Sequence, residues 1–487
     1  MKKLKFIFFP AFLLLLSGLA YAPSTQAATS TVCASGCDFV SLKDAITAFT
    51  PTDGILLDTG YVFDDTLEDD TISFPDQLTL ACSPGVVFGD VDDTRGLLLP
   101  GSDMTIRDCT FEKVDFDATG RTNVSFLNNT FSNVASSGLV FTSTDGFVIR
   151  GNNGIQKVQV QNADNGTIED NAFECRFNNN CLTLSTAGGG PFDFTNPNDV
   201  PANFLVANNT FSNYNTNSGG DFVHLFAGLN VDFVDNTVES AVLMNDAFVT
   251  MLTIQNGEVY LARNIFLFPE KSPGATNGAW GINIRVDEGD ANVVAEHNTL
   301  IMGGAESTVG ANSCFGIFDG GAASGLQVVN AEFRYNLCHN PLSTVGGNGV
   351  SMNYDPASST VHFVDAYNGL SNLGGAIGDS SNLLTSLSPT TKFGNPAFKV
   401  EDADSDNDLQ LAPFSNFLDV DGTKDIGAFE GVRGSVFHVL AGGSVNYSSI
   451  DTTSTEPIAA NLRNNDTVYF GNGTYPPLLL RLSLIHI

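Results

Sequence analysis

Positive charge is what this chain has least of. Lys and Arg number 21 against 54 Asp and Glu in 487 residues, a formal net charge of −33. Such a surface repels the phosphates of nucleic acids and of anionic lipid headgroups, so neither is an expected partner. It also disfavours an acidic polysaccharide unless cations bridge the two. Charged residues of both signs make up only 15% of the chain, and Trp280 is the single Trp. Strong helix formers are few, while 48 Gly and 38 Phe stand among many Asn, Thr and Val, a composition of strands and turns. Past the amino terminus no run reaches the roughly 18 apolar residues of a membrane span. No Cys-x-x-Cys pair and no His at zinc spacing occur, which argues against metal ligation by the cysteines.

What is present begins with an export signal. Lys2, Lys3 and Lys5 precede an apolar run from Phe6 to Leu19, and Ala20-Tyr21-Ala22 offers a small-x-small cleavage site. Residues 1–22 are read as a signal peptide, with a later cleavage option near 28. The mature protein is expected to be soluble and monomeric, secreted or held at the cell surface. The eight cysteines suit an oxidising compartment, and sequence neighbours give the pairs Cys33–Cys37, Cys82–Cys109, Cys175–Cys181 and Cys314–Cys338.

The middle of the chain repeats itself. Asn-Asn-Thr-Phe-Ser-Asn occurs at 128–133 and 208–213, each time closing a short alternating apolar stretch. Weaker copies read FVIRGNNG, GTIEDNAF, VDFVDNTV, VYLARNIF, VVAEHNTL and EFRYNLC. The aligned asparagines are Asn129, Asn153, Asn171, Asn209, Asn236, Asn264, Asn298 and Asn336, with Cys109 at the matching place in MTIRDCTF. A strand, a polar turn and a second apolar residue recurring every few tens of residues mark a solenoid, whose units bury their apolar faces only by stacking. The asparagines are expected to form a ladder between coils. The phenylalanines two positions on (Phe131, Phe173, Phe211, Phe266) are expected to stack inside.

The ends differ from the coils. Leu42, Ala45, Ile46 and Phe49 lie on one face of a short helix, a cap for the open end of the stack, followed by the strand Gly54–Leu57. Residues 395–430 read as irregular segments closing the solenoid, which spans 30–431. Asp466 and Gly473 then bracket an apolar strand as Asp53 and Gly60 do, so 436–481 reads as the start of a second, truncated solenoid. LSLIHI at 482–487 matches nothing before it and is read as a sequencing artefact.

The xIxxNxF coils and the GCDFxSLxDAI cap resemble right-handed parallel β-helix proteins of the pectate-lyase-like superfamily. The NPAF…DLQL…DIGAFE segment resembles the tail of surface-anchored bacterial members. The fold this implies is an all-β right-handed parallel β-helix with a short N-terminal capping helix. Function is not fixed by it, since the scaffold carries lyases, hydrolases, adhesins and tailspikes alike. The calcium-and-arginine pattern of its lyases and the Gly-His-Gly segment of its polygalacturonases find no match here.

Three constellations carry chemistry. Alternation puts Asn283, Arg285 and Asp287 outside the strand that begins at Trp280, with Glu288 beside them and His297 one coil on. A cation to neutralise a uronate carboxylate and a base for the adjacent proton would suit a lyase; the competing reading is an ion pair on a solvated face. Trp280 is there for sugar stacking. Phe222, His224 and Phe226 form an outer aromatic row if Val223 and Leu225 face inward, whereas the opposite register makes the phenylalanines core. Asp402, Asp404, Asp406 and Asp408 alternate as calcium ligands do, although Asn407 and Pro413 exclude an EF-hand. The expected function is an extended scaffold binding extracellular polysaccharide or surface ligands. The alternative is a lyase or hydrolase acting on uronate-containing glycans.

Overall fold

The computed structural model describes residues 29–51, 53–63, 71–89, 96–132, 138–175, 180–186, 201–213, 220–225, 228–240, 249–268, 279–285, 290–302, 313–318, 327–340, 348–353, 359–371, 373, 375–379, 386–394, 396, 411, 415, 417, 425–428, 436–439 and 467–470. Each coil starts from a local rule. A strand of alternating side chains ends at a residue with positive φ, which releases the chain into a sharp corner. Asn128, Asp170, Asn208 and Asp235 hold φ between +54° and +57° there. Asn and Asp enter this left-handed region more readily than other non-glycine residues, which is why the repeats read Asn-Asn and Asp-Asn.

The buried asparagine follows and ties one coil to the next. Asn209 donates from Nδ2 to the Ile168 carbonyl of the previous coil at 2.8 Å and to Asn236 Oδ1 of the following coil at 3.0 Å. The same exchange runs from Asn129 through Asn152, Asn171, Asn209, Asn236, Asn264 and Asn298 to Asn336 and Asn368. Cys109 holds the matching place, its N–H donating to Asn129 Oδ1 at 3.0 Å. One register differs from the sequence reading. Asn152, not Asn153, is the ladder residue: Gly151 takes the left-handed corner at φ +68°, and Asn153 is exposed at the start of the next strand.

Stacking these coils gives three long parallel sheets of 13, 12 and 12 strands, here called A, B and C, in which nearly all neighbours come from successive coils. Sheet A runs from Thr29–Val32 to Ser359–Ala366, sheet B from Thr71–Ser73 to Gly375–Asp379, and sheet C from Val87–Gly89 to Lys392–Phe393. Within a coil the order is A, the asparagine corner, C, a loop, B, and a second loop back to A. The fold is a right-handed parallel β-helix. The helix Leu42–Ala48 lies near its start, capped by Ser41, whose Oγ accepts from the Asp44 N–H at 3.1 Å. It lies between the first two strands of sheet A, ahead of the three-strand coils that begin with Thr71–Ser73.

Inside, phenylalanines stack. Phe173 and Phe211 lie 4.4 Å apart and nearly parallel, Phe111 and Phe131 5.6 Å apart, and Phe266 is fully buried. The four expected disulfides are present: Cys33–Cys37, Cys82–Cys109, Cys175–Cys181 and Cys314–Cys338.

One feature lay outside the sequence reading. Described parts of 411–428 run back over the outer face of sheet C. The Ala428 N–H donates to Thr299 Oγ1 and the Gly427 N–H to the Tyr335 carbonyl, while Phe417 and Ile426 pack on Leu337. Ile265, Ile301 and Leu337, which face outward in sheet C, are buried by this cover. Further on, Val436–Val439 pairs in parallel with Thr467–Phe470, as Thr29–Val32 pairs with Gly54–Leu57.

His339 of sheet C yields a pH prediction. Its Nδ1 lies 2.9 Å from Ser371 Oγ, and burial pushes its pKa down from 6.5 to about 4. The unfolded chain therefore binds this proton at higher pH than the folded one. Stability from the neutral ring is complete above pH 6.5 and is lost as pH falls toward 4. The loss expected across that window is about 2 kcal/mol, allowing for partial exposure. Urea unfolding of wild type and His339→Gln between these pH values checks it: the variant should lack this part of the slope, and parallel curves would refute it.

Candidate functional site

The outer surfaces of the three sheets differ in chemistry, and the difference selects one of them. Sheet A carries charge: Arg150 pairs with Glu169, and Arg334 with Glu332 and Glu296. Exposed pairs of this kind contribute little and are screened by salt. Sheet C presents threonines (Thr110, Thr130, Thr210, Thr237) along its early coils and then the apolar residues under the returning segment.

Over its middle coils the outer face of sheet B is mainly neutral and polar, with Asp115 and Asp117 at its early end and Arg285 at the end of one strand. Its central outward row runs, strand to strand, through Val140, Gln159, Thr183, His224, Thr253, Asn283, Gly316 and Ser351. Between Val140 and Ser351, His224 is its only ionisable side chain; one strand before Val140 the row reaches Asp117. Parallel strands place these groups about 4.8 Å apart along the stack.

Local geometry explains which side chains reach this face. Val223 and Leu225 are fully buried, so His224 points out, as expected for that register. Phe222 nevertheless is 4% exposed. The strand register is kept on either side of it, but Phe222, Met251, Gly281 and Cys314 are all inside. A Cβ on Gly281 would sit 2.5 Å from Leu300 Cδ2 of sheet C, which shows which way this row points. Phe222 is thus core, and Phe226 lies outside the described residues. His224 is held from both neighbouring coils: its Nδ1 lies 3.2 Å from Asn180 Nδ2, and its Nε2 3.2 Å from Gln255 Oε1.

Trp280 is the second residue of the strand Ala279–Arg285, in which Ile282 and Ile284 face the core and Asn283 and Arg285 face out. Its indole lies along the sheet over Gly316 and meets Phe318 edge to face at 5.3 Å. Asn283 is only 5% exposed although it faces outward, so the middle of the row is covered. Under this cover Asn283 Oδ1, Gln255 Nε2 and Ser313 Oγ have no hydrogen-bond partner in the chain. A buried polar atom left unpaired costs about 1–3 kcal/mol, so three on one face call for an external partner.

His297 is not brought to Arg285. It holds the left-handed corner before Asn298, between sheets A and C, and its ring is stacked on Tyr335 at 4.9 Å, while Arg285 ends a sheet B strand. One coil of sequence distance moves a residue along the stack, and the position within the coil decides which corner it occupies. Asp287 and Glu288 lie outside the described residues, as do Asp402, Asp404, Asp406 and Asp408. Among the described residues no group of three or more His, Cys, Asp or Glu is placed to hold a metal ion. No helix among them is long and apolar enough to cross a membrane. Sequence reasoning missed Gln255, Asn180, Gly316 and Phe318. The signal for the last two was their register with Asn283 and Arg285 one coil earlier.

No family model and no curated protein matches the chain. Solved structures do. A PL6 alginate lyase in complex with a trisaccharide is similar over 77% of this chain and 90% of its own, at 12% identity and a TM-score of 0.43. PfbA, a surface adhesin of Streptococcus pneumoniae, is similar over 66% of this chain and 87% of its own, at 11% identity and a TM-score of 0.27. The catalytic unit of a GH87 α-1,3-glucanase from Streptomyces thermodiastaticus is similar over 73% and 69%, at 12% identity and a TM-score of 0.38. Likeness at this level concerns the fold alone. The four disulfides fit an oxidising, extracellular setting.

Proposed function

We propose that this protein is an extracellular scaffold that binds polysaccharide along the outer face of sheet B. The observation that carries the reading is the neutral hydrogen-bonding row from Gln159 to Ser351, with unpaired buried polar atoms beside its aromatic residues. A polyhydroxylated chain can donate to and accept from such a row at each coil. A phosphate polymer would meet a protein of net charge −33 and no cation in the row. Hydrolysis or elimination at a uronate is the second reading, and Arg285 beside Asn283 is its support. That reading needs a base close to Arg285, and His297 occupies another corner. The parallel pair Val436–Val439 and Thr467–Phe470 supports taking 436–481 as the start of a second β-helix, a further length of the same scaffold.

Electrophoresis through gels containing dissolved polysaccharide tests the reading. The wild type should be retarded by at least one glycan. Thr183→Glu/Ser351→Glu, which puts two carboxylates into the row, should abolish the retardation. Val364→Glu, on the exposed face of sheet A, should leave it unchanged. Equal retardation of all three proteins would remove sheet B from the account.

A further inference from the structure

We infer that the outer face of sheet B contains, across the strands Val249–Ile254, Ala279–Arg285 and Ser313–Phe318, a subsite for one uncharged hexopyranose residue. Trp280 is its platform, and Asn283 and Gln255 read its hydroxyls. The inference rests on the polysaccharide-binding reading above and names the class of sugar.

The platform is built into the backbone. A Cβ on Gly316 would come within 2.8 Å of Trp280 Cε3 and 3.1 Å of Cζ3, so only glycine lets the indole lie down on the neighbouring strand. Phe318, two residues on, braces it at an interplanar angle of 72°. Trp280 remains half-buried, with one side against the strand and part of its surface outside. A flat indole held this way presents a π-face to the axial C–H groups of a pyranose ring.

The hydroxyl readers are the polar atoms that the chain itself leaves unsatisfied. Asn283 Oδ1 lies 3.2 Å from the same hypothetical Cβ on Gly316, which places it beside the indole. Asn283 is 5% and Gln255 1% exposed, and both Asn283 Oδ1 and Gln255 Nε2 lack a partner. The orientation of Gln255 is set, because its Oε1 is engaged by His224 Nε2 at 3.2 Å. His224 in turn is met on its other nitrogen by Asn180 Nδ2. The result is an acceptor and a donor on adjacent strands, with Gln255 two residues beyond Thr253, the register partner of Asn283. One sugar hydroxyl donates to Asn283 Oδ1, and another accepts from Gln255 Nε2. Both atoms are closed off from solvent in the unliganded chain, so the side chains over them move aside when the hydroxyls reach them.

Charge decides the class. A polyuronate brings one carboxylate per residue, and the row offers no fixed cation to meet it, only Arg285 at the end of one strand. The remainder of the protein, at −33, repels it. A neutral hexopyranose has no such penalty.

Because Trp280 is the only Trp, its fluorescence reports this subsite directly. The full chain is titrated with neutral β-glucan, mannan and galactan hexasaccharides and with oligogalacturonate and oligoalginate, by emission and by calorimetry. At least one neutral hexasaccharide should shift the emission. Asn283→Leu should weaken that sugar about tenfold, the loss of one hydrogen bond, with melting temperature kept or raised. Trp280→Ala should weaken it by a similar factor or more, read by calorimetry; should that variant not fold, Trp280→Phe keeps a ring and is expected to recover part of the affinity. An emission shift with oligouronates alone would overturn the assignment of class. Neutral-sugar binding that is unchanged in Asn283→Leu and Trp280→Phe would overturn the subsite while leaving the binding face in place. No binding of any glycan by either readout would overturn the subsite together with the reading on which it rests.

Discussion

Asn152→Ala is expected to lower stability by about 4 kcal/mol, whereas Asn153→Ala changes it by no more than about 0.5 kcal/mol. The contrast is between adjacent residues of the same type. Asn152 is 1% exposed, and its side chain makes four bonds between coils. Its Nδ2 donates to the Phe126 carbonyl at 2.9 Å and to Asn171 Oδ1 at 3.0 Å. Its Oδ1 accepts from the Asn129 N–H at 2.8 Å and from Asn129 Nδ2 at 3.0 Å. Each such bond contributes about 1 kcal/mol net, and alanine leaves the partners buried and unpaired. Asn153 points into solvent at the start of a strand. Urea unfolding followed by far-ultraviolet circular dichroism measures both; equal losses would mean that the ladder register is wrong.

Phe211→Ala is expected to cost about 3–5 kcal/mol, the range for emptying a buried phenylalanine site. The side chain is fully buried and stacked on Phe173 at 4.4 Å, with Phe233 of the next coil at 6.0 Å. A parallel stack cannot close the gap, because the strands on either side are fixed by their own hydrogen bonds at a set spacing. Phe393→Ala, at a side chain 58% exposed, serves as the comparison and should change stability by less than about 0.5 kcal/mol. The same unfolding measurement applies. A small loss at Phe211 would show that the interior relaxes around the cavity.

The coils were legible because one corner dictates both the asparagine and the residue before it. Period-2 alternation then fixes which residues fill the interior. The cysteine pairs were legible from neighbour spacing alone. The slip at Asn153 came from Gly151, which takes the left-handed corner without the Asn or Asp that marks it elsewhere, so two asparagines in a row left the register open. Ile265, Ile301 and Leu337 gave no sign that they face outward, since an apolar residue under a covering segment has the same composition as one in the core. His297 illustrates the limit for function. Loops of unequal length hide which corner of a coil a residue occupies, and only the strand registers separate it from Arg285. Phe222 shows the other failure, where a bend lets two consecutive residues face inward.

Sheet B is the face proposed to meet glycan. Backbone hydrogen–deuterium exchange, with and without a saturating neutral oligosaccharide, tests this most directly. Protection is predicted to rise in 220–225, 249–254, 279–285 and 313–318 and to stay unchanged in the strands of sheets A and C from the same coils. Protection confined to sheet A or sheet C, with those four segments unaltered, would contradict it.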